Sequence, residues 1–177
     1  MEKDTRPIKI VVTGPESTGK SSLCQELANH FKTIWIPEFA REYLEDLGRP
    51  YEEADLTEIA LGQKHNEDQV DKNGIYFVDT SFEVLKIWSE WKYRRCSDAI
   101  NSLFQENQVD LYLLLYPDLP WQHDPLRENP DDRLQLFEIY RNLLSSNNLP
   151  FEIIKGSGSE RVENAIEKVN KNFNLDF

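Results

Sequence analysis

Short apolar runs alternate along this chain with stretches whose apolar residues recur at helical spacing. Residues 8–12, 33–36, 75–78, 110–116 and 151–154 are apolar and rich in β-branched or aromatic side chains, which predicts five buried strands. Between them, Leu23, Cys24, Leu27, Ala28 and Phe31 form one helical stripe, and Phe39, Tyr43, Leu44 and Leu47 form another that ends at Gly48 and Pro50. Residues 52–70 read as a helix with Leu56, Ile59 and Ala60 inward and a polar second half, followed by a turn signal at Asn73 and Gly74. A helix with Ser81 as its candidate cap carries Phe82, Val84, Leu85, Ile87, Trp88 and Trp91. Leu134, Phe137, Tyr140, Leu143 and Leu144 mark the next helix, and Val162, Ala165, Ile166, Val169 and Phe173 the last. Strands alternating with helices predict an α/β fold, a five-stranded parallel sheet with helices on both faces.

The stretch 117–130 breaks the rhythm. Its four prolines, Pro117, Pro120, Pro125 and Pro130, forbid continuous helix or strand. A long loop after a strand's C-terminal end is where a lid belongs, here about residues 117–133.

Composition narrows the class. The chain has 177 residues, 39% hydrophobic and 29% charged, enough for a core in one domain spanning 1–177. A net charge of −12 argues against nucleic-acid and anionic-membrane partners, which need concentrated Lys and Arg. No run approaches the ~20 apolar residues of a membrane span, and no apolar run near the N-terminus suggests a signal peptide, so a cytoplasmic location is expected. Cys24 and Cys96 do not form a metal or disulfide pattern. His30, His65 and His123 are scattered and lack a spaced partner.

The chemistry starts at residues 14–21. Gly14, Pro15, Glu16, Ser17, Thr18, Gly19, Lys20 and Ser21 fit the phosphate-binding loop, placed between a strand and a helix as that motif requires. Its glycines let backbone N–H groups turn inward around a polyphosphate, Lys20 reaches the terminal phosphates, and Ser21 offers a hydroxyl to Mg²⁺. Ser22 follows at the positive end of the helix. The strand 75–78 runs into Asp79, the pattern of a Walker B carboxylate beside that loop. Lys92, Arg94 and Arg95 form a short basic group, either a phosphate contact or a solvated helix end. Trp88 and Trp91 suit helix packing, with Trp88 also a candidate for a substrate pocket.

With these pieces in place, the chain resembles the ribosylnicotinamide kinase domain of NadR-type proteins. The resemblance rests on the 14–21 loop, on residues 37–43 from Pro37 through Glu38, Phe39, Ala40, Arg41 and Glu42 to Tyr43, on Phe77 to Thr80, and on the lid from Pro117 through Trp121 and Asp124 to Arg127. It covers the chain from the first strand to the last helix. It implies a three-layer P-loop kinase fold and ATP-dependent phosphorylation of nicotinamide riboside, with ATP and Mg²⁺ as cofactors and a small nucleoside as partner. The adenylyltransferase domain that precedes the kinase in full NadR-type proteins is absent from this sequence, so the acceptor could instead be another nucleoside. A nucleotide-sensing P-loop ATPase is the alternative outside the kinases.

The resemblance also suggests roles. Ser21 and Asp79 would hold the metal, and Glu38 would face the acceptor as base, with Asp79 as its competitor. Arg41 and Asp124 would lie near the acceptor, Arg41 equally suiting a surface salt bridge. Arg127 and Arg133 would close over the transferring phosphoryl group. Trp121 would either stack on a nicotinamide ring or pin the lid. Gly156, in the loop after the last strand, would lie under the adenine or simply form a turn.

Overall fold

The computed structural model describes residues 6–70 and 74–174. Of the predicted turn, Asn73 lies outside these residues, and Gly74 has a positive φ of 85°. One sheet has the order β2-β3-β1-β4-β5, with every pairing parallel. Its strands are β1 (Ile8–Thr13), β2 (Trp35–Ile36), β3 (Ile75–Asp79), β4 (Leu111–Leu115) and β5 (Phe151–Ile154). The helices are α1 (Lys20–His30), α2 (Phe39–Asp46), α3 (Glu53–Asp68), α4 (Phe82–Tyr93), α5 (Asp98–Glu106), α6 (Arg133–Ser146) and α7 (Gly158–Phe173). None of the described helices is long and apolar enough to cross a membrane.

The alternation of side chains along β1 assigns the layers. Ile10 and Val12 point to one face, where they pack with Leu23, Leu27, Ala165 and Val169 of α1 and α7. Val11 points to the other, beside Leu136, Phe137, Tyr140 and Leu144 of α6. Both faces are covered, so the central strands are apolar throughout, as parallel strands must be. A third cluster, built on Leu56, Ile59, Phe82, Leu85 and Ile100, joins α3, α4 and α5.

Four details depart from the pattern-based expectation. β2 is shorter than expected, Trp35 and Ile36 alone: Ile34 contributes its carbonyl to Phe77 N at 3.2 Å, and Thr33 turns its hydroxyl to the carbonyl of Ile75. α5 has no predicted counterpart, although Ser97 caps it by accepting a hydrogen bond from Ile100 N at 3.3 Å. Leu134 is 59% exposed: two positions from buried Leu136, it is rotated roughly 200° around the axis. Ser81 occupies the N-cap position of α4 but spends its hydroxyl on Glu67, at 2.7 Å.

That last bond belongs to a buried polar layer. Lys9 and Glu67 pair beneath the sheet edge, and Asn107 accepts a further bond from Lys9. Glu83, in the first turn of α4, is fully buried. One of its oxygens accepts from Ser81 N at 3.1 Å, and the other has no partner. Burial pushes its carboxyl up to about 7, against the help of the Ser81 N–H and with Glu67 adding repulsion. A carboxyl raised in the native state binds more protons there than in the unfolded chain. It therefore imposes no cost below its ordinary pKa near 4.5, and its full cost above about 7. Glu83→Gln should gain up to about 3 kcal/mol over the parent as pH rises from 5 to 8, read by urea denaturation at both pH values.

Candidate active site

The loop after β1 is shaped by one close approach. Gly14 has φ 139°, and a Cβ there would lie 2.9 Å from the carbonyl oxygen of Leu115 on β4. Only glycine lets β1 turn out of the sheet this close to its neighbour. Downstream, Ser17 and Gly19 also take positive φ, 57° and 78°. The hydroxyl of Thr18 donates to Pro15 O at 2.8 Å, and Lys20 Nζ donates to the same oxygen at 2.9 Å. α1 starts at Lys20 with no side-chain cap and no acidic residue in its first turn. Its free N–H groups and positive end face the loop's interior, a ready seat for an anion.

Beside the loop stand two carboxylates. Asp79 ends β3, is 1% exposed, and accepts a hydrogen bond from Ser21 on Oδ2. Its Oδ1 is buried with no partner. Burial raises its pKa, partly offset by Ser21, Lys20 and Arg41. Glu38 sits at the N-cap of α2 but makes no capping bond with its side chain. Burial also raises Glu38, with Lys20 opposing and Asp79 reinforcing the shift.

A cavity of about 880 Å³ runs from this loop to α4. Residues 14–22 line it, together with Glu38, Arg41, Leu44, Val84, Trp88 and Trp91. The lid segment contributes Arg127 and its neighbours, while Val162 and Arg161 of α7 complete the wall.

The lid is tied to the loop it covers. The carboxylate of Glu16 accepts from Glu128 N at 3.1 Å and from Asn129 N at 2.9 Å. Ser17 Oγ accepts from Gln122 N at 2.9 Å and Arg127 at 3.5 Å. Arg133 donates to Ser17 O at 3.2 Å and Leu119 O at 2.9 Å. On the far side, Trp91 Nε1 donates to Asn129 at 3.1 Å, and Tyr51 OH donates to Glu128 at 2.7 Å while accepting from Trp88 Nε1 at 2.9 Å.

The predicted residues are thus distributed as follows. The loop residues, Glu38, Arg41, Trp88 and Arg127 line the cavity. Asp79 lies behind Ser21. Trp121 and Asp124 are outside the wall: the ring of Trp121 lies under the Arg133 guanidinium, 5.8 Å away, and Asp124 accepts from Arg41 at 3.1 Å and from Leu126 N at 2.9 Å. Gly156 is also outside, its N donating to Asp118 at 2.8 Å, and Gly158 and Ser159 line the cavity in its place. Of the basic group, Lys92 binds Glu128 at 3.1 Å and Arg95 pairs with Glu53, so both are held by carboxylates.

Sequence reasoning missed Arg161. It is 4% exposed, and its guanidinium joins four segments. It donates to Thr18 O at 2.6 Å, Gly156 O at 2.7 Å and Tyr116 O at 3.1 Å, and pairs with Asp118. An arginine on the inward side of an amphipathic helix is the one signal that would have flagged it.

A parallel sheet of this order, with a phosphate loop after its first strand and an aspartate ending the adjacent strand, defines a P-loop nucleotide-binding protein of the nucleotide-kinase architecture. Residues 9–161 match the family AAA_28, described as an AAA domain, and the chain belongs to that family. It is also 30% identical over 156 residues to the trifunctional NAD biosynthesis/regulator protein NadR of Salmonella typhimurium, covering 82% of this chain. The chain spans only 38% of that relative's length. A crystal structure of a NadR protein in complex with NR superposes with TM-score 0.86 at 21% identity, over 98% of this chain and 54% of that one. Another, in complex with NAD and AMP-PNP, gives 0.80 at 20% identity, over 97% and 51%.

Removing Arg161 would take the cation from Asp118 and a donor from the carbonyls of Thr18 and Gly156, whereas Tyr116 O keeps the N–H of Asp118 and Asp118 keeps that of Gly156. Arg161→Ala should cost about 3 kcal/mol of unfolding free energy, measured by urea denaturation. A loss below 1 kcal/mol, roughly that of an ordinary surface substitution, would refute this role.

Proposed function

We propose that this chain is an ATP-dependent kinase whose acceptor is a small nucleoside, nicotinamide riboside. The observation that carries the reading is one cavity lined both by a phosphate loop and by a half-buried carboxylate, Glu38, together with Trp88 and Trp91. The NadR proteins that resemble this chain, one holding NR and another AMP-PNP, support the choice of ligands.

In this reading the 14–21 loop wraps the triphosphate with its N–H groups. Lys20 leaves Pro15 O for the phosphates, where an ionised acceptor replaces a neutral one. Ser21 and Asp79 fit a Mg²⁺ ion: a hydroxyl and a carboxylate are adjacent, and the buried Oδ1 lacks any partner. Among the described residues no cluster of His, Cys, Asp or Glu could hold a metal by itself, so the ion would share its ligands with triphosphate and water. The metal would neutralise charge developing on the phosphates.

The acceptor hydroxyl would attack the terminal phosphorus, breaking the bond to ADP. Its proton would pass to Glu38, the carboxylate not committed to Ser21. Arg127 would grip the transferring group, while Arg133 would hold the lid on the loop. Arg41 would sit between Glu38 and Asp124. A closed lid would exclude water and so suppress ATP hydrolysis.

The test is ADP release from Mg·ATP with and without nicotinamide riboside. The acceptor should stimulate release, and Lys20→Ala should abolish it. Glu38→Gln should lower kcat by about a hundredfold while leaving the KM for ATP within about twofold. Slow hydrolysis indifferent to any nucleoside would instead assign the chain to the nucleotide-sensing class.

A further inference from the structure

α3 hides polar side chains that its position under a predicted polar face does not explain. Gln63 is 3% exposed and Glu67 8%. Gln63 Oε1 accepts from Phe39 N at 3.1 Å. Its Nε2 donates to Thr80 O at 3.3 Å and to Glu67 Oε1 at 2.9 Å. Phe39 directly follows Glu38, and Thr80 directly follows Asp79. One buried amide therefore bridges the two backbone segments that carry the site's carboxylates.

Each end of the bridge meets a need of its own. Phe39 N–H opens α2 and has no partner within that helix. The Glu38 side chain makes no cap bond and lines the cavity, so Gln63 relieves it of any local duty. Thr80 has φ 61°, a left-handed conformation unfavourable for a β-branched residue. Such a residue persists only where its surroundings over-determine it. Here Val12 O holds its N–H at 3.0 Å and Gln63 holds its carbonyl. Gln63 is itself fixed, since Glu67 also accepts from Ser81 Oγ and pairs with Lys9.

We propose that Gln63 is a positioning residue that sets the separation of Glu38 from Asp79, and so the place of the acceptor hydroxyl relative to the triphosphate. Gln63 does not line the cavity and acts only through these two backbones. The proposal rests on the kinase reading above. It predicts a particular kinetic split. No hydrogen bond joins Gln63 to the phosphate loop, so nucleotide binding is spared. Alignment of base and acceptor is not.

The experiment compares Gln63→Met, Gln63→Glu and the parent in acceptor-stimulated ADP release, per folded molecule. Gln63→Met keeps the volume and removes all three bonds. Gln63→Glu keeps an oxygen for Phe39 N and loses the donors, which covers the case in which the Met variant does not fold. Ser89→Ala is the control for destabilisation alone, because Ser89 is equally buried and its hydroxyl bonds Arg95 O and Cys96, away from both carboxylate segments. The expected result is a fall in kcat of about tenfold or more for Gln63→Met and a smaller fall for Gln63→Glu, with the KM for ATP within about twofold and Ser89→Ala like the parent. Parental kcat in both Gln63 variants, or an equal loss in Ser89→Ala, overturns the proposal alone. A parent that shows no acceptor-dependent release overturns the kinase reading and this proposal with it.

Discussion

Val12 lies opposite Asp79 in the β1–β3 ladder, and the floor of the cavity depends on that register. β1 ends one residue later, at the start of the loop, so Ser21 on α1 comes down onto the carboxylate at the end of β3. A slip of one residue would send Asp79 to the other face of the sheet, out of reach of Ser21. The register is enforced from both sides. Ile10 and Phe77, paired in it, share the layer under α1, while Val11 and Val78 share the opposite one. The apolar core thus fixes a polar contact to within a hydrogen bond's tolerance, although no apolar residue takes part in that contact.

Two cations that line the cavity are held in a way that suits an anionic ligand. The chain carries net charge −12, yet Lys20 and Arg127 contact carbonyls and a hydroxyl instead of carboxylates, whereas Arg41 is paired with Asp124. Each of these bonds already has a charged donor, and an ionised acceptor would add the attraction of opposite charges. A phosphate entering the loop would therefore gain more from Lys20 and Arg127 than the protein forfeits. Arg161 and Lys92 are different, each paired with a carboxylate, which suits fixed parts of the frame. The lid follows the same division. Its anchors on Glu16, Trp91 and Tyr51 are directional bonds from separate elements, so the segment is ordered without any secondary structure of its own.

Much of this was legible in the sequence, for a physical reason. Strand runs, helical stripes and the glycine-lysine loop are local patterns, and each carries its meaning within a few residues. The loop, Asp79 and the proline-rich lid could be read because composition alone restricts what such segments do. The illegible parts depend on distant partners. Arg161 reads as a surface charge until it is seen bonded to Thr18, Gly156, Tyr116 and Asp118. Gln63 and Glu67 read as solvated helix positions until Lys9, Ser81 and Thr80 are found beneath them. Trp121 looked available for a ligand because its loop is polar, whereas the Arg133 guanidinium already covers its ring.

The two carboxylates of the site show how one ligand would separate their roles. Both are raised by burial, and Lys20 and Arg41 draw both back. On the kinase reading, a triphosphate would compete for the ammonium of Lys20, and a metal held by Ser21 and Asp79 would supply Asp79 with a cation in exchange. Glu38 would keep Arg41 alone. Losing the ammonium disfavours the charged form of a buried carboxyl and so favours its taking up a proton. Binding of the donor would thus separate the two carboxylates, Asp79 toward the metal and Glu38 toward the acceptor's proton, through the displacement of one side chain.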